Sequence, residues 1–393
     1  MKRLELERFG PIKKAELELG DLTVFVGHQA SGKSLLIQLI KAISDAGSIR
    51  SELKRYGYDW ARGDAVASYS ALYFGGGLGE LLGSTKSLLA DGRKVSLERL
   101  AKPGGGASQD ETVFVVPAQR VLVLQDGLPK PFMAYLSGDP YCMRRFSEHL
   151  RSQMDRFASG KAIFPQTNQL MSSLRTVIDT AVYAGFELKL KSEGSRRSLT
   201  LSRPGDDSAL PFTAWSAGQR EFTPLLFSLY WLLPPAKVAR RGALDHVIIE
   251  EPEMGLHPQA IVGFMLCVLA LLHRGYRVML STHSPVVLDV LWALQSLRDV
   301  RAKKARQATS AVRKIFDISS GDNSINGVLH KAFEKELRVY YFEREGSSTG
   351  VHDISTLDPA SVDVRTNGWG GLSGFSGKIA DIVGDAREKA GCA

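Results

Sequence analysis

The stretch Leu22-Thr23-Val24-Phe25-Val26-Gly27-His28-Gln29-Ala30-Ser31-Gly32-Lys33-Ser34 runs from a compact apolar strand into a loop with glycine at both ends. It leads into a helix whose apolar face is Leu35, Leu36, Leu39, Ile40 and Ile43. Gly27 to Ser34 fits the pattern G-x-x-x-x-G-K-[ST] in the strand-loop-helix context the pattern requires. The glycines let consecutive backbone N–H groups of Gly27, His28, Gln29, Ala30, Ser31 and Gly32 curl around phosphates, and the helix from Lys33 points its positive end at the same place. Lys33 is then placed to reach the β and γ phosphates of a nucleoside triphosphate, and Ser34 to bind Mg2+.

A phosphate loop does not by itself separate kinase from hydrolase, so the remaining parts must come from elsewhere in the chain. Val247-Ile248-Ile249 is too apolar to be half exposed and reads as a central strand, and it ends in Glu250-Glu251-Pro252-Glu253. Carboxylates ending a core strand are costly unless they hold a cation or water. Glu250 is positioned for the metal shell and Glu251 for orienting or deprotonating an attacking water. Ser281-Thr282-His283-Ser284 follows the next apolar strand, which puts His283 at the carboxyl edge of the sheet, where it can contact the γ-phosphate. Ser216-Ala217-Gly218-Gln219 opens a helix. Ser216 can cap it and Gly218 leaves its N–H groups accessible, making a second anion cradle. One triphosphate needs only one cradle, so the second points to the nucleotide of a partner chain.

Around these motifs the chain reads as α/β. An antiparallel hairpin turns at Gly10-Pro11, and strands then alternate with helices at 215–233, 258–272 and 285–297, giving a mostly parallel sheet covered on both faces. Residues 1–295 form one domain, with an irregular lobe at about 51–110, broken by Gly75-Gly76-Gly77 and residues 103–106, and a helical lobe at about 139–214. Residues 296–393 form a basic helical segment and a small α+β extension, with a hairpin near 336–354 and a short helix after Ser376.

The chain has 393 residues, 44% hydrophobic and 23% charged, which excludes disordered and fibrous classes. The apolar run Ile261 to Leu272 falls short of the roughly 20 residues a membrane helix requires. The start, Met1-Lys2-Arg3-Leu4-Glu5, has no apolar signal core, and three cysteines (Cys142, Cys267, Cys392) without metal-ligand spacing fit a reducing compartment. A cytoplasmic protein without a membrane partner is expected. Lys+Arg 50 against Asp+Glu 42 gives a net charge of +8. Arg298, Arg301, Lys303, Lys304, Arg306, Arg313 and Lys314 against Asp299 concentrate +6 in one segment. No aromatic residue interleaves them, so either a solvated helix face or contact with the phosphate backbone of DNA or RNA would suit this segment.

Taken together, the phosphate loop, Gln119 within Pro117-Ala118-Gln119-Arg120, Ser216 to Gln219, Ile249 to Glu253 and Ser281 to Ser284 follow the motif order of the ABC-type ATPases. The chain resembles the soluble branch that holds structural-maintenance-of-chromosomes (SMC) heads, overcoming-lysogenization-defect nucleases and ATPases of anti-phage systems of Septu, retron and PARIS type. The resemblance covers most of residues 1–295. It implies a P-loop ATPase head with a mixed sheet, ATP and Mg2+ as cofactors, and a head-to-tail homodimer or larger oligomer. In that dimer two ATP molecules lie between the phosphate loop of one chain and Ser216, Gly218 and Gln219 of the other. It further implies that Gln119 senses Mg2+ or the γ-phosphate and that His283 is the switch histidine. The chain departs from the family at Glu250, usually aspartate, at Ala30, usually glycine, and at Gln119, where relatives often have glutamate. No heptad arm divides the halves. Glu343 to Gly346 is similar to a TOPRIM nuclease element, but its later paired aspartates are missing. The expected role is the sensor or regulatory subunit of a prokaryotic anti-phage complex, with a nuclease or toxin effector as a separate chain. The alternatives are an ATP-dependent scaffold with little turnover and a DNA-repair clamp.

Overall fold

A computed structural model describes residues 1–60, 64–78, 85–102, 110–157, 161–193, 196–206, 208–234, 240–319, 321–373, 379 and 382–383. Residues 103–106 and Cys392 lie outside these, as does most of the stretch after Ser376.

Alternation of leucine with charge makes the first strands. Leu4, Leu6 and Phe9 of β1 (Arg3–Phe9) and Ile12, Ala15 and Leu17 of β2 (Ile12–Glu18) are buried, and the two pair antiparallel across the Gly10-Pro11 turn. Next come β3 (Leu22–Gly27), β4 (Ser87–Ala90), β5 (Arg93–Lys94) and β6 (Val113–Val116). A hairpin of β7 (Leu124–Gln125) and β8 (Leu128–Pro129) is followed by β9 (Ala162–Phe164), β10 (Glu187–Glu193), β11 (Arg196–Ser202) and β12 (Leu210–Pro211), which form a separate antiparallel sheet. The last strands are β13 (His246–Glu250), β14 (Arg277–Thr282), β15 (Leu337–Glu345) and β16 (Ser348–Asp353). The main sheet has ten strands in the order β5-β4-β1-β2-β16-β15-β3-β14-β13-β6. Strands β15, β3, β14, β13 and β6 are mutually parallel, and the hairpins make the sheet mixed.

The helices that bear on the site are α1 (Lys33–Ser44), α2 (Tyr141–Met154), α3 (Ala217–Leu232), α4 (Pro258–His273) and α5 (Pro285–Ile315). They cover both faces of the sheet. Leu22, Val24 and Val26 pack into one core with α3, α4 and α5, while Phe25 joins Ile248, Met279 and α1 in the other. This is the α/β fold of P-loop nucleotide-binding proteins, with a mixed sheet flanked by helices.

Three features differ from the expected organisation. The hairpin β15–β16 does not sit beside the sheet as an appendage: β15 pairs parallel with β3 from Leu337↔Leu22 to Phe342↔Gly27, and β16 pairs with β2. Apolar Val339, Tyr340 and Phe342 are buried there, so part of 296–393 completes the same sheet that carries the phosphate loop. Similarly, β4 from the 51–110 stretch pairs with β1 and extends the sheet edge. Helix α5 also continues to Ile315, with a break at Lys304 (φ −146°, ψ 75°), so the basic segment is its second half.

Candidate functional site

The phosphate loop is held between the first turn and the C-terminal hairpin. Gly27 has φ +135°, and a Cβ there would lie 2.3 Å from the Phe342 carbonyl oxygen; Gly32 has φ +92°, and its Cβ would lie 2.9 Å from Pro11 Cγ. Only glycine fits either position. Ala30 occupies the left-handed region at φ +57°, a strain of about 1 kcal/mol for an L side chain. His28, Gln29 and Ala30 are exposed at the crest, whereas Ser31 and Lys33 are buried beneath it. Lys33 Nζ donates to the carbonyls of Gly27 (3.0 Å) and His28 (2.7 Å) and to Ser31 Oγ (3.3 Å). Burial lowers the Lys33 ammonium to about 8, although Glu251 and Glu253 pull it upward. A phosphate at the loop would offer that cation the charged oxygens it lacks.

Sheet register brings the carboxylates to this point. Glu250 pairs with Ser281, and Thr282 pairs with Val26, so the ends of β13, β14 and β3 lie level. Glu250 is only 3% exposed. Burial raises its carboxyl to about 7, against the opposing hydrogen bond from Ser34. A buried carboxyl and a hydroxyl in contact, beside a phosphate cradle, are the donor set a magnesium ion would take. Glu251 is left-handed at φ +44°, with its N–H donating to the Ser281 carbonyl at 2.8 Å. Its Oε1 lies 3.7 Å from His283 Nε2, and this contact holds the Glu251 carboxyl below its ordinary value. Glu253 Oε1 accepts the His283 backbone N–H at 2.5 Å. His283 is thus fixed from its ring by one carboxylate and from its backbone by another.

Lys33, Ser34, Glu250, Glu251 and His283 therefore meet on three adjoining strand ends. Gln119 is set apart: it is exposed beyond the end of β6, on the far side of β13 from the loop. Its neighbour Arg120, which sequence reasoning passed over, is fully buried. Its Nε donates to the Glu221 carbonyl (3.1 Å), Nη1 to that of Glu250 (3.0 Å) and Nη2 to those of Glu251 (3.1 Å) and Pro252 (3.5 Å), and Nε lies 3.3 Å from Glu221 Oε2. The only signal in the sequence was an arginine four residues past the end of an apolar strand.

Ser216 and Gln219 form a reciprocal cap: Ser216 Oγ accepts the Gln219 N–H at 3.2 Å, and Gln219 Oε1 accepts the Ser216 N–H at 3.0 Å. A Cβ on Gly218 would lie 2.9 Å from the Gly255 carbonyl oxygen, so this glycine is required for close packing on the loop after β13 as well as leaving its N–H uncovered. Ser216 is exposed, and among the described residues no hydrogen bond joins Ser216 or Gln219 to residues 27–34.

The basic segment is less available than its charge implies. Arg298 donates to the Lys335 carbonyl, Arg301 to the His330 carbonyl and to Glu334, and Arg313 to the carbonyls of Ser319 and Asp322 and to Asn326. Arg301 and Arg313 fasten α5 to the helix Asn326–Ala332 and its flanks and Arg298 fastens it to Lys335 beyond that helix, while Lys303, Lys304, Arg306 and Lys314 are exposed. Glu343 is ion-paired with Arg365 Nε (2.8 Å) and lies 3.2 Å from His352 Nε2. Among the described residues no helix is long and apolar enough to cross a membrane.

Residues 145–289 match the family described as "AAA domain, putative AbiEii toxin, Type IV TA system". That segment contains Ser216, Glu250, Glu251 and His283. No curated protein matches the sequence. Solved structures similar to this chain include an SMC head bound to the C-winged helix domain of ScpA (11% identity, 90% of this chain and 96% of that one, TM-score 0.40). Others are the SMC head domain from Thermotoga maritima (13%, 90% and 98%, TM-score 0.34) and an ATP-binding cassette in a dimeric post-hydrolysis state with ADP and phosphate (12%, 72% and 90%, TM-score 0.31). The matched segment carries the strand-end carboxylates and the histidine on the next strand, while the phosphate loop lies outside it at residues 27–34.

Proposed function

We propose that the protein binds ATP at Gly27 to Ser34 and hydrolyses it by in-line attack of water on the γ-phosphate, with Glu251 as the base. The observation that carries this reading is the convergence of Lys33, Ser34, Glu250, Glu251 and His283 at one carboxyl edge, with Glu251 and His283 3.7 Å apart. Lys33 and the N–H groups of the loop hold the phosphates. Ser34 and Glu250 would hold Mg2+, which when bound neutralises phosphate charge. Glu251 takes the proton of the water, and His283 lies beside it to meet the γ-phosphate. Gln119 at the end of β6 reports occupancy of the site. The exposed cap at Ser216, with Gly218 and Gln219, serves the nucleotide of a second copy, so that two chains close on two ATP molecules.

The wider role we infer is the sensor or regulatory subunit of a prokaryotic anti-phage complex, acting on a separate nuclease or toxin. The matched family's description, which names a toxin of a type IV toxin–antitoxin system, is in keeping with defence. A DNA clamp is less favoured, because three of the seven clustered cations are already engaged within the chain.

The test is phosphate release by purified protein with and without DNA, alongside Glu251→Gln. The variant is expected to keep ATP, accumulate as dimer in light scattering and lose roughly 10²–10⁴-fold in turnover. Full turnover in Glu251→Gln would reject the assignment of the base, and no release by the wild type under any condition would favour the scaffold.

A further inference from the structure

We propose that Arg120, anchored by Glu221, is a positioning residue that sets the backbone of the hydrolytic strand end and ties it to the start of α3. The inference rests on the reading of Glu251 as the base.

A buried arginine is costly unless its charge and all its donors are satisfied inside the fold. Here the guanidinium is satisfied mostly by backbone. Three consecutive carbonyls, those of Glu250, Glu251 and Pro252, accept from Nη1 and Nη2, and Nε donates to the carbonyl of Glu221, one turn into α3, with the Glu221 carboxylate in ion-pair contact at 3.3 Å. Consecutive residues present their carbonyls to one point only when the chain bends sharply. It does so at Glu251, whose φ of +44° is a conformation a glutamate ordinarily avoids. Hydrogen bonds from a charged donor each outweigh the left-handed penalty, so the fork can hold Glu251 in the bend. The bend in turn aims the Glu251 side chain at His283, while Glu253, two residues on, secures the His283 N–H. Lysine cannot replace this fork, because it offers one point of donation rather than a plane of them.

The same guanidinium connects elements with different duties. It belongs to the segment that carries Gln119, grips the carboxylate strand end and reaches the helix that Ser216 caps. A shift of that segment on nucleotide binding therefore moves the base and the exposed cap together.

Arg120→Lys in the full chain tests this by two readouts. In hydrogen–deuterium exchange, the amides held in this bend (Glu251 to the Ser281 carbonyl, Met254 to Glu251, Leu256 to Glu253) should exchange at least tenfold faster, with residues 27–34 unchanged. Wild-type protection across 250–256 overturns the proposal. In steady-state kinetics kcat should fall at least 30-fold while the ATP Kd stays within threefold. Equal losses in both would mean a merely structural arginine and would also overturn it. Should Arg120→Lys not fold, Glu221→Gln is expected to lower kcat three- to tenfold at unchanged ATP affinity, and wild-type kcat there overturns the proposal. If the wild-type protein shows no turnover at all, the hydrolytic reading fails, and the exchange comparison still decides the role of Arg120.

Discussion

Lys33 begins α1 and Lys41 lies about two turns further along the same helix; both are buried, at 5% and 2% exposure. Their partners differ completely. Lys41 Nζ meets Asp45 Oδ2 at 2.6 Å, Glu111 Oε1 at 2.5 Å and the Val113 carbonyl at 2.6 Å. Asp45 also accepts from Thr112 N (2.9 Å), Thr112 Oγ1 (2.6 Å) and Val113 N (3.0 Å), and Arg145 completes the set at 2.9 Å from Glu111. Two cations and two anions close on one another and fasten the end of α1 to the start of β6. Among the described residues Lys33 has only carbonyls and a hydroxyl within hydrogen-bond distance, with Glu251 and Glu253 acting on it from further away. Burial of a lysine is therefore not in itself a sign of function; what distinguishes Lys33, proposed to bind phosphate, is that no carboxylate among the described residues closes on it.

The largest test of that contrast is Lys41→Met. It strands Asp45 and Glu111 in a buried site and should destabilise the fold by about 3–5 kcal/mol in denaturant titration. ATP affinity of the protein that remains folded should be unchanged. A loss under about 1 kcal/mol would show that the network is not closed as described.

Acid should find the same end of α1. Burial pushes the Glu111 carboxyl up, but Lys41 and Arg145 outweigh it and hold the group at about 2, against 4.5 unfolded. The folded pKa is depressed, so the stabilisation is fully present above about pH 4.5 and is lost as pH falls toward 2, a total on the order of 3 kcal/mol. Denaturant titrations from pH 6 to 3 should show a steeper decline for wild type than for Glu111→Gln. Parallel curves would remove Glu111 from the acid response.

The end of α1 proposed to bind phosphate was legible in the sequence, and the paired end was not. Gly27, Gly32, Lys33 and Ser34 stand at fixed spacing in one short stretch, where backbone geometry and charge dictate the residue types. Lys41 and Asp45 stand at an i, i+4 spacing common on helix surfaces, and their burial depends on Glu111 and Arg145, 70 and more residues away, which no local pattern marks. Arg120 was missed for the same reason: its partners lie at positions 221 and 250–252, and no local period marks a side chain that serves distant carbonyls. Parallel pairing hid the hairpin as well, since β15 reaches β3 across more than 300 residues, and a segment read as an extension proves to press Phe342 against Gly27. Strand-end carboxylates were legible because three buried residues before them leave little choice of structure.

At the other end of the contrast, Lys33→Met should be nearly silent for stability. It removes a buried cation that among the described residues has no carboxylate in ion-pair contact, and Glu251, which Lys33 reaches only from further away, keeps its contact with His283, so the folding free energy should stay within about 1 kcal/mol of wild type. ATP affinity should drop ~100-fold, the loss of a charged donor worth about 2–3 kcal/mol to phosphate oxygens. Denaturant titration checks the first half, and calorimetric titration of the folded variant with ATP the second. Strong destabilisation with retained affinity would reverse the roles assigned to the two lysines.

The smallest effect is expected two residues from Gly32, at the exposed crest of the loop. Ala30 holds φ +57°, where a methyl group is strained and glycine is not. Ala30→Gly removes that strain but also gives the unfolded chain more freedom, and the two contributions oppose each other at about 1 kcal/mol or less. Stability should therefore shift by no more than about 1 kcal/mol in either direction, with ATP affinity within threefold, because the N–H groups of the cradle keep their aim. A larger fall in affinity would mean that the alanine stiffens the loop into its phosphate-binding shape, and that the unpaired end of α1 is preorganised by backbone as well as by charge.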